Sequence, residues 1–170
     1  GKILTKVLMV SDKRSFKEVK EIKNDLNFQK LKNKPTCSTS STIPKILWFK
    51  NNSNKIFNNV KHWIGAGEYL TYLLTGELIT DPLNAGKAFY NGSCYEKKVL
   101  KGLEINLETL PDVRKIGFEC SISDKIKKQY DFSPNINYVL TTYDAICAVL
   151  GSSDGKNKTG WSILISLISV

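Results

Sequence analysis

The chain has 170 residues, of which 41% are hydrophobic and 24% charged, so it is long enough for one core and short for two full domains. Its net charge of +9 at pH 7 comes from lysines spread among acids, with only two arginines, Arg14 and Arg114, so we expect no specific nucleic-acid partner. The longest apolar stretch, Trp161 to Val170, is about half of the roughly 20 residues needed to cross a bilayer, so we expect no membrane segment.

The start of the chain pairs an apolar run with an amphipathic pattern, as α/β proteins do. Lys6 to Val10 is a compact apolar run and predicts a buried strand. Phe16, Val19, Ile22 and Leu26 follow at helical spacing and predict the first helix.

Two further helices are predicted in the next part of the chain. A Ser/Thr-rich loop ends at Ser41 or Thr42, either of which is suited to cap a helix opened by Pro44. A second helix covers Glu68 to Thr75 and is stopped by Gly76.

The middle of the chain predicts a short strand and more helices. The strand covers Glu77 to Thr80, and Asp81 to Gly86 is typical of a turn that enters a helix or loop. Helices are also predicted near Tyr95 to Leu103 and Ser123 to Tyr130.

The most informative segment places one carboxylate, Asp144, between an extended run and a small-residue helix. Ile136 to Leu140 alternates and is rich in strand formers, while Ala145, Ala148 and Gly151 recur at helical spacing. A carboxylate at such a junction is held by two rigid elements and faces a crevice. The competing interpretation is a helix cap, which is the commoner case on this segment alone.

Four cysteines, at positions 37, 94, 120 and 147, are scattered without a C-x-x-C pair, and His62 is the single histidine. This pattern favours neither a zinc site nor a Cys/His catalytic pair, so we predict no metal ligands. Reduced thiols and the lack of a secretory pattern at the amino terminus together favour a cytoplasmic protein.

Six short motifs follow one another along the chain from about Val7 to Gly151. They are Asp12-Lys13-Arg14, Lys45-Ile46-Leu47-Trp48, Tyr69-Leu70 with Leu74-Thr75-Gly76, Thr80-Asp81 with Asn84-Ala85, Leu110-Pro111 with Gly117, and Asp144 to Gly151. Each motif is weak alone, but the ordered set resembles that of the FGGY carbohydrate kinases, a family that includes glycerol kinase and xylulokinase.

The resemblance implies an α/β, ribonuclease H-like (actin-like ATPase) fold, of which this chain forms a partial domain. Residues 1–158 then correspond to the later part of an N-terminal domain with the substrate pocket and base, and residues 159–170 to the first strand of a C-terminal nucleotide-binding domain. The parent protein is expected to transfer the γ-phosphoryl group of ATP, with Mg²⁺, to a sugar or polyol hydroxyl. The isolated chain is expected to be inactive, and a homodimer is left open.

The resemblance also implies roles for individual residues. Asp144 matches the catalytic base of the family, and Ala145 follows it at a position that contacts substrate. Asp12 and Arg14 match a D-x-R segment beside the sugar pocket, where an acid and a guanidinium can bind vicinal hydroxyls. Their structural interpretation is a turn acid and a salt bridge at the start of a helix.

Thr80, Asp81 and Asn84 match a family segment close to the cleft. Asx-turn and capping chemistry explains these residues equally well, because short polar side chains commonly bind nearby backbone N–H groups. We therefore interpret them as structural support near the cleft.

The chain also departs from the family pattern. It has no D-x-G-T-S/T phosphate turn, and Ser166 to Ser169 lacks the glycine that lets backbone approach a phosphate. Ala145 stands where a polar residue is common, and Tyr143 where a small or polar residue is common. These departures keep open a catalytically silent homologue that binds a sugar or a protein partner. A basic adaptor for acidic polymers is a more distant alternative.

Overall fold

The computed structural model describes residues 2–152 of the chain, which form a mixed α/β structure with short strands. Its helices are α1 (Phe16–Asn24), α2 (Leu26–Gln29), α3 (Thr42–Asn52), α4 (Asn54–Asn59), α5 (Ala66–Thr75), α6 (Pro82–Gly86), α7 (Lys97–Gly102), α8 (Asp124–Gln129) and α9 (Asp144–Ser152). Its strands are β1 (Ile79–Thr80), β2 (Asp112–Val113), β3 (Glu119–Ser121) and β4 (Asn137–Val139). None of the helices in this part of the chain has the length and apolar character needed to cross a membrane.

The strands form two small sheets that both lie against α5. β1 pairs in parallel with β2, and β3 pairs antiparallel with β4, with Cys120 opposite Tyr138. Helix α5 contacts both β1 and β4, and Thr71 Oγ1 on α5 lies 2.7 Å from the Tyr138 hydroxyl. This contact ties the sheet that precedes Asp144 to the rest of the structure.

The hydrophobic core lies among α1, α2, α3 and α7. Phe89 is fully buried at its centre, with its ring centroid 5.6 Å from that of Phe28. Ile22 of α1, Ile43 of α3 and Leu100 of α7 are also fully buried against it. Close packing of branched and aromatic side chains makes this cluster the main source of stability.

The prediction of a buried strand at Lys6 to Val10 is wrong. This segment has no strand assignment, and Val7, Met9 and Val10 are each about two thirds exposed, at 69%, 66% and 67%. A strand needs a neighbouring strand to bind its backbone groups, and no strand of residues 2–152 pairs with this segment. Instead, the Lys45 ammonium donates to the Met9 carbonyl at 2.8 Å.

The first helix is confirmed but ends earlier than predicted. Asp25 leaves the helical conformation and caps α2, because its side chain accepts from the N–H groups of Asn27 and Phe28. Leu26 therefore lies on α2 and is 66% exposed, rather than on the buried face of α1.

The other predicted helices are present near their expected positions. Helix α3 begins after Ser41, but the Ser41 hydroxyl makes no capping bond and instead donates to the Thr36 carbonyl at 3.0 Å. Helix α5 ends at Gly76, whose φ of 83° is the left-handed conformation that glycine adopts without strain. Helices α7 and α8 and strands β1 and β4 lie within the segments predicted for them.

Candidate functional site

Asp144 lies at the junction of an extended segment and a helix, as predicted. It is the first residue of α9, which begins five residues after β4 ends at Val139. Its carboxylate is exposed, and Oδ1 accepts from the Ala145 N–H at 2.7 Å. Within residues 2–152 the Oδ2 atom has no hydrogen-bond donor, so one carboxylate oxygen is oriented by the backbone and the other is available.

A buried carboxylate fixes the segment that leads into Asp144. Asp81 is 2% exposed, and its Oδ1 accepts from the Thr142 hydroxyl at 2.9 Å. The same side chain caps α6 through the N–H groups of Leu83 and Asn84, and its Oδ2 accepts from the Asn84 amide at 2.6 Å. A buried charge is stable when hydrogen bonds of this kind replace its water. Asp81 therefore joins the start of α6 to the start of α9.

Lys87, directly after α6, makes the second link to the Asp144 segment. Its ammonium donates to Asn84 Oδ1 at 2.9 Å and lies 4.6 Å from the ring centroid of Tyr143. A cation over a tyrosine face is favourable, and here it connects α6 to the residue that precedes Asp144.

Asp12 and Arg14 bind each other tightly at the start of the first helix. The Arg14 Nε lies 3.0 and 2.9 Å from the two Asp12 oxygens, and the Arg14 backbone N–H donates to Oδ1 at 3.0 Å. The side-chain hydrogen bond from Arg14 is the main reason why the pKa of Asp12 lies below its usual value. The guanidinium also stacks over Trp48, 4.8 Å from the ring centroid.

The ammonium of Lys45 is affected by the charges of neighbouring site residues. Burial lowers the pKa of the Lys45 ammonium, the charge of Asp12 opposes that shift, and the charges of Lys87 and Lys13 add to it. The charges of Asp12 and Lys87 therefore both reach Lys45. Of the predicted site residues, hydrogen bonds join Asp12 to Arg14 and Asp81 to Asn84.

Thr80 has a structural partner away from Asp144. Its hydroxyl donates to Glu68 Oε1 at 2.6 Å, while Glu68 Oε2 accepts from the Gly65 N–H at the start of α5. Thr80 and Asn84 also line a cavity of about 30 Å³, which has room for a water molecule but not for a sugar.

Three residues of this site had no role in the sequence interpretation. Thr142 and Lys87 contact the Asp144 segment or its partners, and Lys45 is affected by the charges of Asp12 and Lys87. Lys45 belongs to a motif that carries the family resemblance, and Thr142 lies two residues before Asp144. The sequence therefore provides a weak indication that these two residues belong to the site. Lys87 had none, because only the fold places it beside Tyr143.

The described part of the chain offers no preformed metal site. Among residues 2–152, no group of three His, Cys, Asp or Glu side chains is placed to hold a metal ion. Asp81 and Asp12 each use their oxygens for hydrogen bonds within the protein.

Known proteins match this chain along nearly all of its described length. A family model described as the N-terminal domain of the FGGY family of carbohydrate kinases matches residues 1–151. Xylulose kinase from Staphylococcus xylosus is 25% identical over 161 residues, which are 89% of this chain and 33% of that protein. The chain therefore spans about a third of the length of this relative.

Solved structures share the fold. Ligand-bound xylulose kinase from Lactobacillus acidophilus superposes with a TM-score of 0.77 at 24% identity, over 88% of this chain and 32% of that chain. Plasmodium falciparum glycerol kinase with ADP superposes with a TM-score of 0.73 at 21% identity, over 88% of this chain and 31% of that chain. These likenesses confirm the predicted ribonuclease H-like (actin-like ATPase) fold, present here as part of a domain.

Proposed function

Because the chain belongs to the FGGY family of carbohydrate kinases, we propose that it is the part of a sugar or polyol kinase that holds the acceptor and the catalytic base. The observation that carries this proposal is the state of Asp144. Its carboxylate is exposed on a segment fixed by the Thr142 to Asp81 bond, and its Oδ2 has no donor within residues 2–152. This combination of rigid support and an available oxygen is what a base acting on a bound hydroxyl requires.

In the proposed reaction, Asp144 orients an acceptor hydroxyl and takes its proton. Bound ATP would supply the phosphoryl group. Phosphoryl transfer has a loose transition state in which the hydroxyl proton leaves late, so a weak base such as aspartate is sufficient. The first turn of α9 also favours a carboxylate at this position, because the helix N-terminus carries partial positive charge.

We propose that Asp12, Arg14 and Ala145 contact the acceptor. The Asp12 oxygens already bind Arg14, so the pair would act as one unit that offers guanidinium N–H groups and carboxylate lone pairs to neighbouring hydroxyls. Ala145 follows the base and presents a methyl group, so it would contact the acceptor without a hydrogen bond.

ATP and Mg²⁺ are proposed as cofactors of the complete protein. No group of three His, Cys, Asp or Glu side chains is placed to hold a metal ion among residues 2–152. The predicted start of the nucleotide-binding domain, at residues 159–170, lies outside the described residues. The domain boundary at residue 158 remains a prediction.

We further propose that the 170-residue chain alone does not catalyse transfer and that the parent protein is cytoplasmic. Electrostatic stabilisation supplies most of phosphoryl-transfer catalysis, and a chain that spans a third of its relative would lack much of it. All four cysteines are free thiols, which is typical of a reducing compartment. Sugar-dependent ATP hydrolysis by the purified chain would contradict the first of these proposals. Assembly into a homodimer stays a prediction.

The decisive experiment compares Asp144→Asn with Asp131→Asn in the full-length protein. Asp131 is exposed and has a positive φ that asparagine also tolerates, so it is a matched control. We expect Asp144→Asn to lower kcat by about 10² to 10⁴, the usual contribution of a general base, with little change in sugar affinity. Asp131→Asn should retain wild-type kcat. Activity of Asp144→Asn above a tenth of wild type would reject Asp144 as the base.

A second candidate function is a catalytically silent homologue that binds a sugar or a protein partner. Two observations favour it. Ala145 provides no polar side chain beside the base, and both oxygens of Asp12 already accept from Arg14. Calorimetry of the full-length protein would separate the two functions. Sugar binding without nucleotide binding or turnover supports the silent homologue, whereas turnover supports the kinase.

A further inference from the structure

The loop between α6 and α7 contains the only Asn-Gly pair of the sequence, Asn91-Gly92. Both residues are exposed, and Gly92 has a φ of 100° and open space around its α-carbon. Glycine has no side chain that could obstruct its backbone nitrogen, and within residues 2–152 the Gly92 N–H donates to no acceptor. The backbone nitrogen of Gly92 is therefore accessible and directly follows the side-chain amide of Asn91.

The side-chain amide of Asn91 is held at both of its ends. Its Oδ1 accepts from the backbone N–H groups of Ser93 and Cys94, each at 3.0 Å. Its Nδ2 donates to Glu96 Oε1 at 2.9 Å. Paired backbone N–H groups stabilise negative charge on an oxygen, as they do in the oxyanion holes of enzymes. The Asn91 carbonyl is therefore prepared to accept an electron pair when a nucleophile attacks its Cγ.

We propose that Asn91 is a modification site at which the loop promotes its own deamidation. The Gly92 nitrogen forms a bond to Asn91 Cγ and loses its proton to water, while the Cγ=Oδ1 electron pair moves to Oδ1. The two N–H donors stabilise this oxyanion, and the neighbouring position of the two groups favours the attack. When the carbonyl re-forms, the Cγ–Nδ2 bond breaks, and Nδ2 takes a proton from water and leaves as ammonia. Water then opens the cyclic imide at either carbonyl, which yields aspartate or isoaspartate.

The modification would also change the contacts of the loop. An ionised aspartate has no donor to replace Nδ2, so Glu96 would face a second carboxylate in place of an N–H group. Glu96 directly precedes α7, and its backbone N–H donates to the Phe89 carbonyl at 2.9 Å. Because Phe89 is fully buried in the core, repulsion at Glu96 acts where the loop joins the core. Deamidation is therefore expected to lower the stability of the folded chain.

The test follows deamidation of the 170-residue chain at mildly alkaline pH, by mass spectrometry of its peptides and by an isoaspartate assay. We expect Asn91 to react about tenfold faster in the folded chain than in a free peptide of residues 88–97, which lacks the fixed pair of donors. Gly92→Ala should slow the reaction by at least about tenfold, because the methyl group hinders the nitrogen and strains the φ of 100°. Gly86→Ala in α6, where an added Cβ meets open space, should keep the wild-type rate.

Two results would overturn the inference. The first is a rate for Asn91 in the folded chain that is equal to or below the rate in the free peptide, because the loop would then protect the amide. The second is an unchanged rate in folded Gly92→Ala, with folding checked by circular dichroism, because the Gly92 nitrogen would then not be the nucleophile. Asn91→Asp carries the side chain of the product and should unfold at a lower urea concentration than the wild-type chain. An unchanged midpoint would overturn the expected loss of stability.

Discussion

The hydrogen bond between Thr142 and Asp81 should be worth about 2 kcal/mol to the folded state. Thr142→Val keeps the shape of the side chain but removes the hydroxyl that donates 2.9 Å to a carboxylate that is 2% exposed. A hydrogen bond to a charged group contributes about 1.5 to 3 kcal/mol, and water has little access to replace this one. With an m-value of about 2 kcal/mol/M in urea, the unfolding midpoint should fall by about 1 M.

The matched control is Thr141→Val, one residue earlier. Thr141 is exposed, and its hydroxyl contacts only the Cys147 sulfur, at 3.2 Å, within the described structure. A sulfur is a weak hydrogen-bond partner, so this variant should change the midpoint by less than about 0.25 M. The reasoning is refuted if both variants unfold at the same urea concentration, because Asp81 would then not depend on Thr142.

Three other predictions test separate parts of the structure. Phe89→Ala should cost about 3 to 5 kcal/mol in urea unfolding, because Phe89 is fully buried at the centre of the core. Gly76→Ala should lower the free energy of unfolding by about 1 kcal/mol, because Gly76 has a φ of 83° that alanine adopts only with strain. Gly67→Ala inside α5, where the added methyl group meets open space, should raise the free energy of unfolding by up to about 1 kcal/mol. Equal effects of the two substitutions would contradict the left-handed cap. The pKa of Asp12, followed by NMR, should lie below 3.8 and return toward it in Arg14→Met. Since the pKa is lowered in the folded state, the contribution of Asp12 to stability is complete above pH 3.8 and is lost as the pH falls through its folded-state pKa.

Local chemistry explains which parts of this structure could be predicted from the sequence. Asp81 followed by Pro82 and Asn84 predicts a helix cap, because the backbone N–H groups that it caps lie within three residues. Gly76 after an apolar helical pattern predicts the end of α5 for the same reason. The position of Asp144 after β4, at the first residue of α9, also depended only on neighbouring residues.

Contacts between distant residues could not be predicted in this way. Thr142 reaches Asp81 across 61 positions, and Lys87 reaches Tyr143 across a similar separation, so no sequence spacing indicates either contact. The prediction of a strand at Lys6 to Val10 was wrong for the same reason, because burial of this segment depends on distant residues. An apolar run predicts burial only if another element covers it, and no strand of residues 2–152 pairs with this one.

Two aspartates of this site differ in environment, and that difference fits the different roles proposed for them. Asp81 is buried and its oxygens accept hydrogen bonds from four donors, whereas Asp144 is exposed and has one oxygen without a donor in residues 2–152. A carboxylate with satisfied oxygens cannot take a proton from a ligand without losing bonds that support the fold, so Asp81 is suited to positioning and Asp144 to chemistry. Asparagine substitution should therefore separate the two: at Asp81 it should lower stability, and at Asp144 it should leave stability within about 0.5 kcal/mol while transfer by the full-length protein is lost.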